Sequence, residues 1–172
     1  RLNLEMAATP EMVKIAHELR PDQVTLVPER RDELTTEGGL DVIRRRRALA
    51  SVIARFHDAG IAVSLFVDPR ISQFDASREV GADMVEIHTG EYAAARNAVS
   101  RRVHLAAVRK IARYGRDIGL GVNAGHGLDY GNIGPVAGIG EIEEVSIGHA
   151  VIVRAVEVGL ERAVKEMIRL LR

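Results

Sequence analysis

Short apolar runs alternate along the chain with longer segments whose apolar residues recur at helical spacing. The runs at 2–6, 22–27, 61–67, 83–88, 119–123 and 143–149 are predicted to be strands, the last one including its terminal loop. Helices are predicted from Thr9 to the residue before Pro21, over 41–58, over about a dozen residues ending at Gly81, and over 97–117. Residues 131–139 predict a short helical or irregular link. The C-terminal segment carries an apolar stripe that should pack on an apolar surface: Leu160, Ala163, Val164, Met167, Ile168 and Leu171.

Six strands followed by helices predict parallel pairing with both sheet faces covered. A doubly wound sheet and a (β/α)8 barrel both fit this order. The position of the polar residues favours the barrel, because they fall at strand ends or in the loops just after them, where such barrels carry their active sites. These residues are Glu5, Thr35, Glu86, His88, Asn123, His126, Gly148 and His149. We therefore expect a single α/β-barrel domain over 1–172 with about six of the eight units present.

Composition narrows the functional classes. The 172 residues carry 24 basic and 24 acidic side chains, so no net charge attracts nucleic acid or an anionic membrane. Aromatic residues make up 3% and tryptophan is absent, which disfavours a base-stacking surface. No apolar run approaches the roughly 20 residues of a membrane span, and no signal-peptide pattern opens the chain. The absence of cysteine excludes disulfides and thiolate chemistry. We predict a cytoplasmic protein.

Two glutamates stand inside apolar strands. Glu5 lies between Leu4 and Met6, and Glu86 lies between Val85 and Ile87. A carboxylate in such a place is either a paired structural charge or a group that transfers protons, and two of them at the same barrel end favour function. His88 shares a face with Glu86 by strand alternation and is interpreted as a satisfied core histidine rather than a catalytic one.

Gly125 and Gly127 flank His126 directly after a strand. Glycines there leave the imidazole little surrounding bulk and allow backbone angles that other residues avoid. The arrangement suits a proton-transfer residue, although a plain strand-to-helix turn has the same pattern. Gly148 and His149 precede an apolar helical segment, where backbone N–H groups could bind an anion or simply form a turn. The histidine spacing predicts no metal site.

Seven segments in order resemble the pyridoxine 5′-phosphate synthase family. They are Asn3-Leu-Glu-Met-Ala7, Val27-Pro-Glu29, Thr35-Thr-Glu-Gly-Gly-Leu-Asp-Val42, Val63-Ser-Leu-Phe66, Glu86-Ile-His-Thr-Gly90, Val122-Asn-Ala-Gly-His-Gly-Leu128 and Ile147-Gly-His-Ala150. The resemblance implies a (β/α)8 barrel that needs no metal or organic cofactor and forms homo-oligomers, octamers in bacteria. It implies condensation of 1-deoxy-D-xylulose 5-phosphate with 3-amino-2-oxopropyl phosphate to pyridoxine 5′-phosphate, phosphate and water.

The resemblance also implies roles for individual residues. Glu5 would be a proton acceptor, His126 a proton donor, and Glu86 a group that stabilises a transition state. Three substrate or product contacts would come from Thr35, Gly127 and the Gly148-His149 loop. Condensation with loss of water and phosphate is repeated acid–base chemistry, which needs such a set of groups.

The family pattern starts with two further βα units, which carry another catalytic histidine and substrate-phosphate contacts, and this sequence has no counterpart of them. We therefore expect an N-terminally incomplete barrel, and for a molecule starting at Arg1 an open barrel without synthase activity. Two alternatives remain open: a non-catalytic domain that binds phosphorylated ligands, and another phosphosugar enzyme such as an aldolase or isomerase. A Schiff-base aldolase is disfavoured because Lys14, Lys110 and Lys165 all fall on predicted helices.

Overall fold

The computed structural model describes residues 1–29 and 38–171, which form one parallel sheet with helices on its outer face. The strands are β1 Asn3–Met6, β2 Gln23–Leu26, β3 Ala62–Val67, β4 Met84–His88, β5 Gly121–Gly125 and β6 Glu144–Ser146. The helices are α1 Pro10–Leu19, α2 Val42–Asp58, α3 Ile71–Glu79, α4 Gly90–Ala93, α5 Ala98–Asp117, α6 Ile133–Ala137, α7 His149–Val158 and α8 Leu160–Leu170.

Strand order in the sheet follows the chain, from β1 at one edge to β6 at the other, and every pairing is parallel. The sheet is curled, as a contact between its two edges shows: Arg1 beside β1 donates a hydrogen bond of 2.7 Å to Glu144 of β6. A flat six-stranded sheet would hold these two residues far apart, since neighbouring strands are about 4.8 Å apart. The fold is thus a curled parallel half-barrel, which agrees with part of the predicted barrel and not with a doubly wound sheet.

Three helices begin at a residue whose side chain caps the first turn. The Thr9 hydroxyl accepts a hydrogen bond from the Met12 N–H, and Pro10 occupies the first turn. The side chains of Asp41 and Asn97 cap α2 and α5 in the same way. The apolar faces of α2 and α3 cover the outer side of the sheet, where the core residues Leu49, Phe56 and Phe74 are fully buried.

Three local expectations differ from the structure. No helix is predicted between the strand at 83–88 and the helix at 97–117, but the short helix α4 forms there. The α3 helix has nine residues instead of about a dozen. The C-terminal stripe packs only in part: Ala163 and Met167 are buried, whereas Leu160 is 58% exposed and Leu171 is 38% exposed. The reason is a break at Gly159, whose φ of 84° separates α7 from α8, so that α8 packs mainly on α7 and α6.

The α5 helix approaches the sheet closely at Gly115. A Cβ atom there would lie 2.8 Å from Cγ2 of Val122 and 2.9 Å from Cε1 of Phe74. Because these neighbours belong to the packed core, added volume has no space to enter. Gly115 therefore sets the distance between α5 and β5, the strand that His126 follows.

We predict that Gly115→Ala lowers the free energy of unfolding by about 1–3 kcal/mol through overpacking, although alanine is the better helix former. Gly134→Ala is the matched control, because a Cβ at this exposed position in α6 would meet nothing within 4 Å. Urea unfolding of both variants measures the difference. Equal stability of the two would contradict the close packing of α5.

Candidate active site

The carboxyl ends of the strands surround a cavity of about 870 Å³, which we call the strand-end cavity. It is lined by six of the seven site residues predicted from sequence, namely Glu5, Glu86, His126, Gly127, Gly148 and His149. The seventh, Thr35, lies outside the described residues. The structure therefore brings together side chains from β1, β4 and the loops after β5 and β6, as parallel strands in a curled sheet require.

Glu86 is the buried carboxylate of the cavity, with 3% of its surface exposed. The Ser146 hydroxyl in β6 donates a hydrogen bond of 3.0 Å to its Oε2 atom. Burial raises the pKa of Glu86 to about 7; the Ser146 hydrogen bond lowers it, and the nearby Glu5 carboxylate raises it. The group therefore exchanges its proton near neutral pH, as a general acid or base requires.

Space for the Glu86 carboxyl group comes from Gly125 on the adjacent strand. A Cβ atom at Gly125 would collide with Oε1 of Glu86 and lie 3.2 Å from Cβ of Ser146. The pairing of β4 with β5 places Glu86 beside Asn123 and His88 beside Gly125. Gly125, the first glycine of the Gly-His-Gly turn, thus leaves space for the Glu86 carboxyl group as well as for the His126 ring.

His126 follows β5 in a left-handed backbone conformation, with φ of 77°, and Gly127 has the same φ. Its carbonyl accepts a hydrogen bond of 2.7 Å from the Thr89 hydroxyl. Burial lowers the pKa of His126 below its ordinary value, His88 lowers it further, and Glu5 acts in the opposite direction. The imidazole is therefore mainly neutral at pH 7 while no ligand is bound.

Gly148 and His149 line the cavity at the point where β6 leads into α7. Gly148 is the N-terminal cap residue of α7, and no side chain in the described part of the chain supplies a capping hydrogen bond there. A Cβ atom at Gly148 would meet nothing within 4 Å, so this backbone is open to the cavity. The first N–H groups of a helix have no partners within it, and they favour an anion.

His88 is not in the cavity lining. Its side chain is 9% exposed, and Nδ1 lies 3.2 Å from Oδ1 of Asp68, which is fully buried. Asp68 is the buried partner that the interpretation of His88 as a satisfied histidine requires. Sequence reasoning missed the partners Asp68 and Ser146. Both stand at strand ends, Asp68 directly after β3, and that position was the available signal.

Among residues 1–29 and 38–171 no group of three or more histidine, aspartate or glutamate side chains is placed to hold a metal ion. In the same part of the chain no helix is long and apolar enough to cross a membrane. Lys14, Lys110 and Lys165 lie on α1, α5 and α8, as predicted.

The whole chain, residues 1–172, matches the family described as "Pyridoxal phosphate biosynthesis protein PdxJ". The chain belongs to the PdxJ family. It is 57% identical over its full length to the pyridoxine 5′-phosphate synthase of Trichlorobacter lovleyi and 55% identical to that of Geobacter sulfurreducens. In both cases it covers 72% of the relative's length. These PdxJ relatives are enzymes, so the chain is an enzyme of pyridoxal phosphate biosynthesis, and the resemblance found in its motifs is confirmed.

Solved structures support the fold alone. A xylose isomerase domain protein from Planctomyces limnophilus aligns with a TM-score of 0.57 and 12% identity over 99% of this PdxJ chain and 71% of its own. A chain of the Amycolatopsis orientalis BexX/CysO complex aligns with a TM-score of 0.55 and 13% identity, covering 91% and 60% respectively. The likeness extends across almost the whole sheet and its helices.

We predict that Glu86→Gln raises stability at pH 8 but not at pH 4. Because the pKa of Glu86 is about 7 in the folded state against 4.5 for an ordinary glutamate, the folded protein binds a proton more tightly than the unfolded chain does. Stability is therefore lost as pH rises from about 4.5 to about 7, and above that range the cost is roughly 3 kcal/mol. Glutamine removes this cost.

Urea unfolding at several pH values measures the effect. Glu18→Gln on the exposed side of α1 is the control, since it removes the same charge from a surface pair with Lys14. If Glu86→Gln stabilises the protein equally at pH 4 and pH 8, folding does not raise the pKa of Glu86, and the prediction is wrong.

Proposed function

We propose that the enzyme to which this chain belongs catalyses the ring-closing condensation of 1-deoxy-D-xylulose 5-phosphate with 3-amino-2-oxopropyl phosphate. The products are pyridoxine 5′-phosphate, inorganic phosphate and water. The observation that carries the proposal is the single cavity lined by Glu5, Glu86 and His126, two of which have shifted pKa values. The names of the relatives support the same reaction.

In this proposal Glu5 accepts protons and His126 donates them. Glu5 is exposed at the end of β1 and lines the same cavity as His126, so both groups reach a bound substrate. His126 must be charged in order to donate a proton. Substrate phosphate groups entering the cavity supply negative charge that raises the pKa of His126 from its lowered value.

Glu86 stabilises a transition state in this scheme. With a pKa of about 7 it is partly protonated at neutral pH, so its carboxyl group can donate a hydrogen bond to an oxygen that gains negative charge. Ser146 holds the opposite oxygen of the carboxyl group and thereby fixes its orientation. No metal or organic cofactor enters any of these steps.

The substrate and product contacts complete the proposal. Gly127 adjoins His126 in the cavity, and Gly148 and His149 bind a phosphate through the start of α7. Thr35 is assigned to substrate binding from the family motif alone.

We further infer a cytoplasmic homo-oligomer, an octamer by the family resemblance. The exposed apolar side chains on α7 support an assembly: Ile152 is 59% exposed, Val153 52% and Val156 85%. Such side chains on one helix favour burial against another subunit.

Replacing His126 by asparagine is expected to lower turnover by about 10²- to 10⁴-fold, the usual contribution of one acid–base group. Asparagine tolerates the left-handed backbone at this position, so the fold is retained. Product formation from the two phosphorylated substrates is measured together with ligand binding. His57→Asn is the control, because His57 pairs with Asp83 at the opposite end of the sheet.

Three outcomes of this experiment decide between the functions. A native protein that binds phosphorylated ligands but forms no product would be the non-catalytic binding domain. If the native protein converts a different phosphosugar and His126→Asn loses that activity, the protein is another phosphosugar-handling enzyme. If the native protein and His57→Asn form pyridoxine 5′-phosphate and His126→Asn does not, the result supports the synthase.

Gly148→Ala is expected to weaken binding of phosphate-bearing ligands about tenfold, because the added methyl group occupies the open side of the α7 terminus. The melting temperature should not change, since a Cβ at this position meets no protein atom within 4 Å. Gly140→Ala, which is equally uncrowded, is the control. Calorimetric titration with inorganic phosphate measures the effect, and unchanged binding would remove Gly148 from the phosphate site.

A further inference from the structure

His88 and His126 lie in ring contact at the wall of the strand-end cavity. Their ring centroids are 4.9 Å apart and the ring planes are inclined at 64°, which is an edge-to-face arrangement. Phe66 of β3 adjoins both rings, at 5.0 Å from His88 and 6.2 Å from His126. Only His126 and Phe66 face the cavity, and His88 lies behind them. The orientation of the His126 imidazole is therefore set by two rings that are themselves buried or nearly so.

Asp68 determines how the ring of His88 is placed. The carboxylate is 0% exposed, and its Oδ1 atom accepts a hydrogen bond of 3.0 Å from the Gly39 N–H. The same oxygen lies 3.2 Å from Nδ1 of His88. A hydrogen bond from Nδ1–H to this carboxylate fixes the tautomer and stops the ring from rotating. The Nε2 edge of His88 is then directed away from Asp68.

The backbone near the two rings leaves room for them. A Cβ atom at Gly90 would lie 2.6 Å from Nε2 of His88 and 3.4 Å from Cδ2 of His126, so the absence of a side chain there lets both imidazoles fit. The Thr89 hydroxyl lies 2.7 Å from the carbonyl oxygens of both Gly125 and His126. The residues after β4 thus support the turn that carries His126.

We propose that Asp68 and His88 form a positioning pair for His126. The buried carboxylate holds the His88 ring, and that ring, together with Phe66, holds the His126 imidazole in the orientation needed for proton donation. Neither Asp68 nor His88 touches substrate in this arrangement. The inference rests on the proposed role of His126 as the proton donor.

Electrostatics support the geometry. Burial lowers the pKa of His126, and His88 is the second cause of the lowering. The charged or titratable groups around the two imidazoles lie on both sides of them. They are Asp68 beside His88; Arg70, Glu91, Tyr92 and His104, which line a second cavity together with His88; and Glu5, Glu86, Asp129 and His149 in the strand-end cavity. Removing the ionisable ring of His88 should therefore move the pKa of His126 upward.

Two substitutions of His88 separate its hydrogen bond from its ring contact. His88→Asn places an amide nitrogen near the position of Nδ1, so it keeps the bond to Asp68 but loses the contact with His126. His88→Phe keeps a ring against His126 but loses the bond. We expect kcat to fall about tenfold or more in both variants with KM changed less than about twofold, since orientation and not binding is impaired. The kcat–pH profile should shift in the same direction as the His126 titration.

Asp68→Asn tests the other member of the pair. It should lower kcat by itself, and combining it with His88→Phe should add little, because the two residues act as a unit. Circular dichroism and melting temperature identify variants that have not folded. The comparison between Asn and Phe at position 88 keeps the test decisive if one of them fails to fold.

The titration of the His126 side chain, followed by NMR in the intact protein, does not depend on turnover. Its midpoint should rise in both His88 variants. Folded variants with unchanged kcat and an unchanged His126 titration would overturn the proposal, and so would an effect confined to KM. If the native protein forms no pyridoxine 5′-phosphate but the titration shifts as expected, the proposed synthase function fails while the positioning pair stands.

Discussion

The parallel register of β3, β4 and β5 is the constraint on which the site depends. It places Phe66 beside Glu86, and it places His88 beside Gly125, which has no side chain. A shift by one residue would turn each of these side chains to the opposite face of the sheet. Glu86 would then enter the apolar layer under the helices, where no Ser146 hydroxyl would reach it. The hydrogen-bonded register of the strands therefore determines which side chains enter the cavity, independently of the loops.

Burial of one carboxylate next to a second, exposed one divides their roles. Glu86 is almost inaccessible and its pKa is raised to about 7, chiefly by desolvation and partly by the charge of Glu5. The raised pKa is costly for folding, since the charged form of Glu86 destabilises the folded protein by roughly 3 kcal/mol above neutral pH. A fold that retains this cost in its core sacrifices stability for a group that titrates near neutral pH. That trade is typical of acid–base sites and unusual for a structural ion pair.

Much of this was predictable from the sequence. Helix ends at Thr9, Asp41 and Asn97 follow local capping chemistry, and polar residues at strand ends predict the cavity because parallel strands bring those ends together. Features that depend on distances between elements were not predictable. Nothing local distinguishes Asp68 from an ordinary strand-terminating aspartate, and only the fold shows that it meets His88.

The same limit applies to the C-terminal stripe and to Ser146. A glycine inside a helical pattern can be tolerated or can end the helix, and the backbone at Gly159 decides which. The apolar spacing correctly predicted that α8 is a helix, but it does not indicate which element α8 packs against. The Ser146 hydroxyl likewise stands in a short strand whose neighbour, β5, is small enough at Gly125 for Glu86 to reach across it.

The turn at Gly125-His126-Gly127 combines both kinds of information. A histidine with φ of 77° costs about 1–2 kcal/mol relative to an ordinary conformation, and a following glycine with the same φ relieves part of the crowding. A plain turn would place glycine or asparagine at that position and avoid the cost. The structure instead offsets it with the Thr89 hydroxyl on two carbonyl groups and with two rings packed against the imidazole. Strain that is retained and supported from a neighbouring strand argues that the position of the His126 ring is the purpose of the turn.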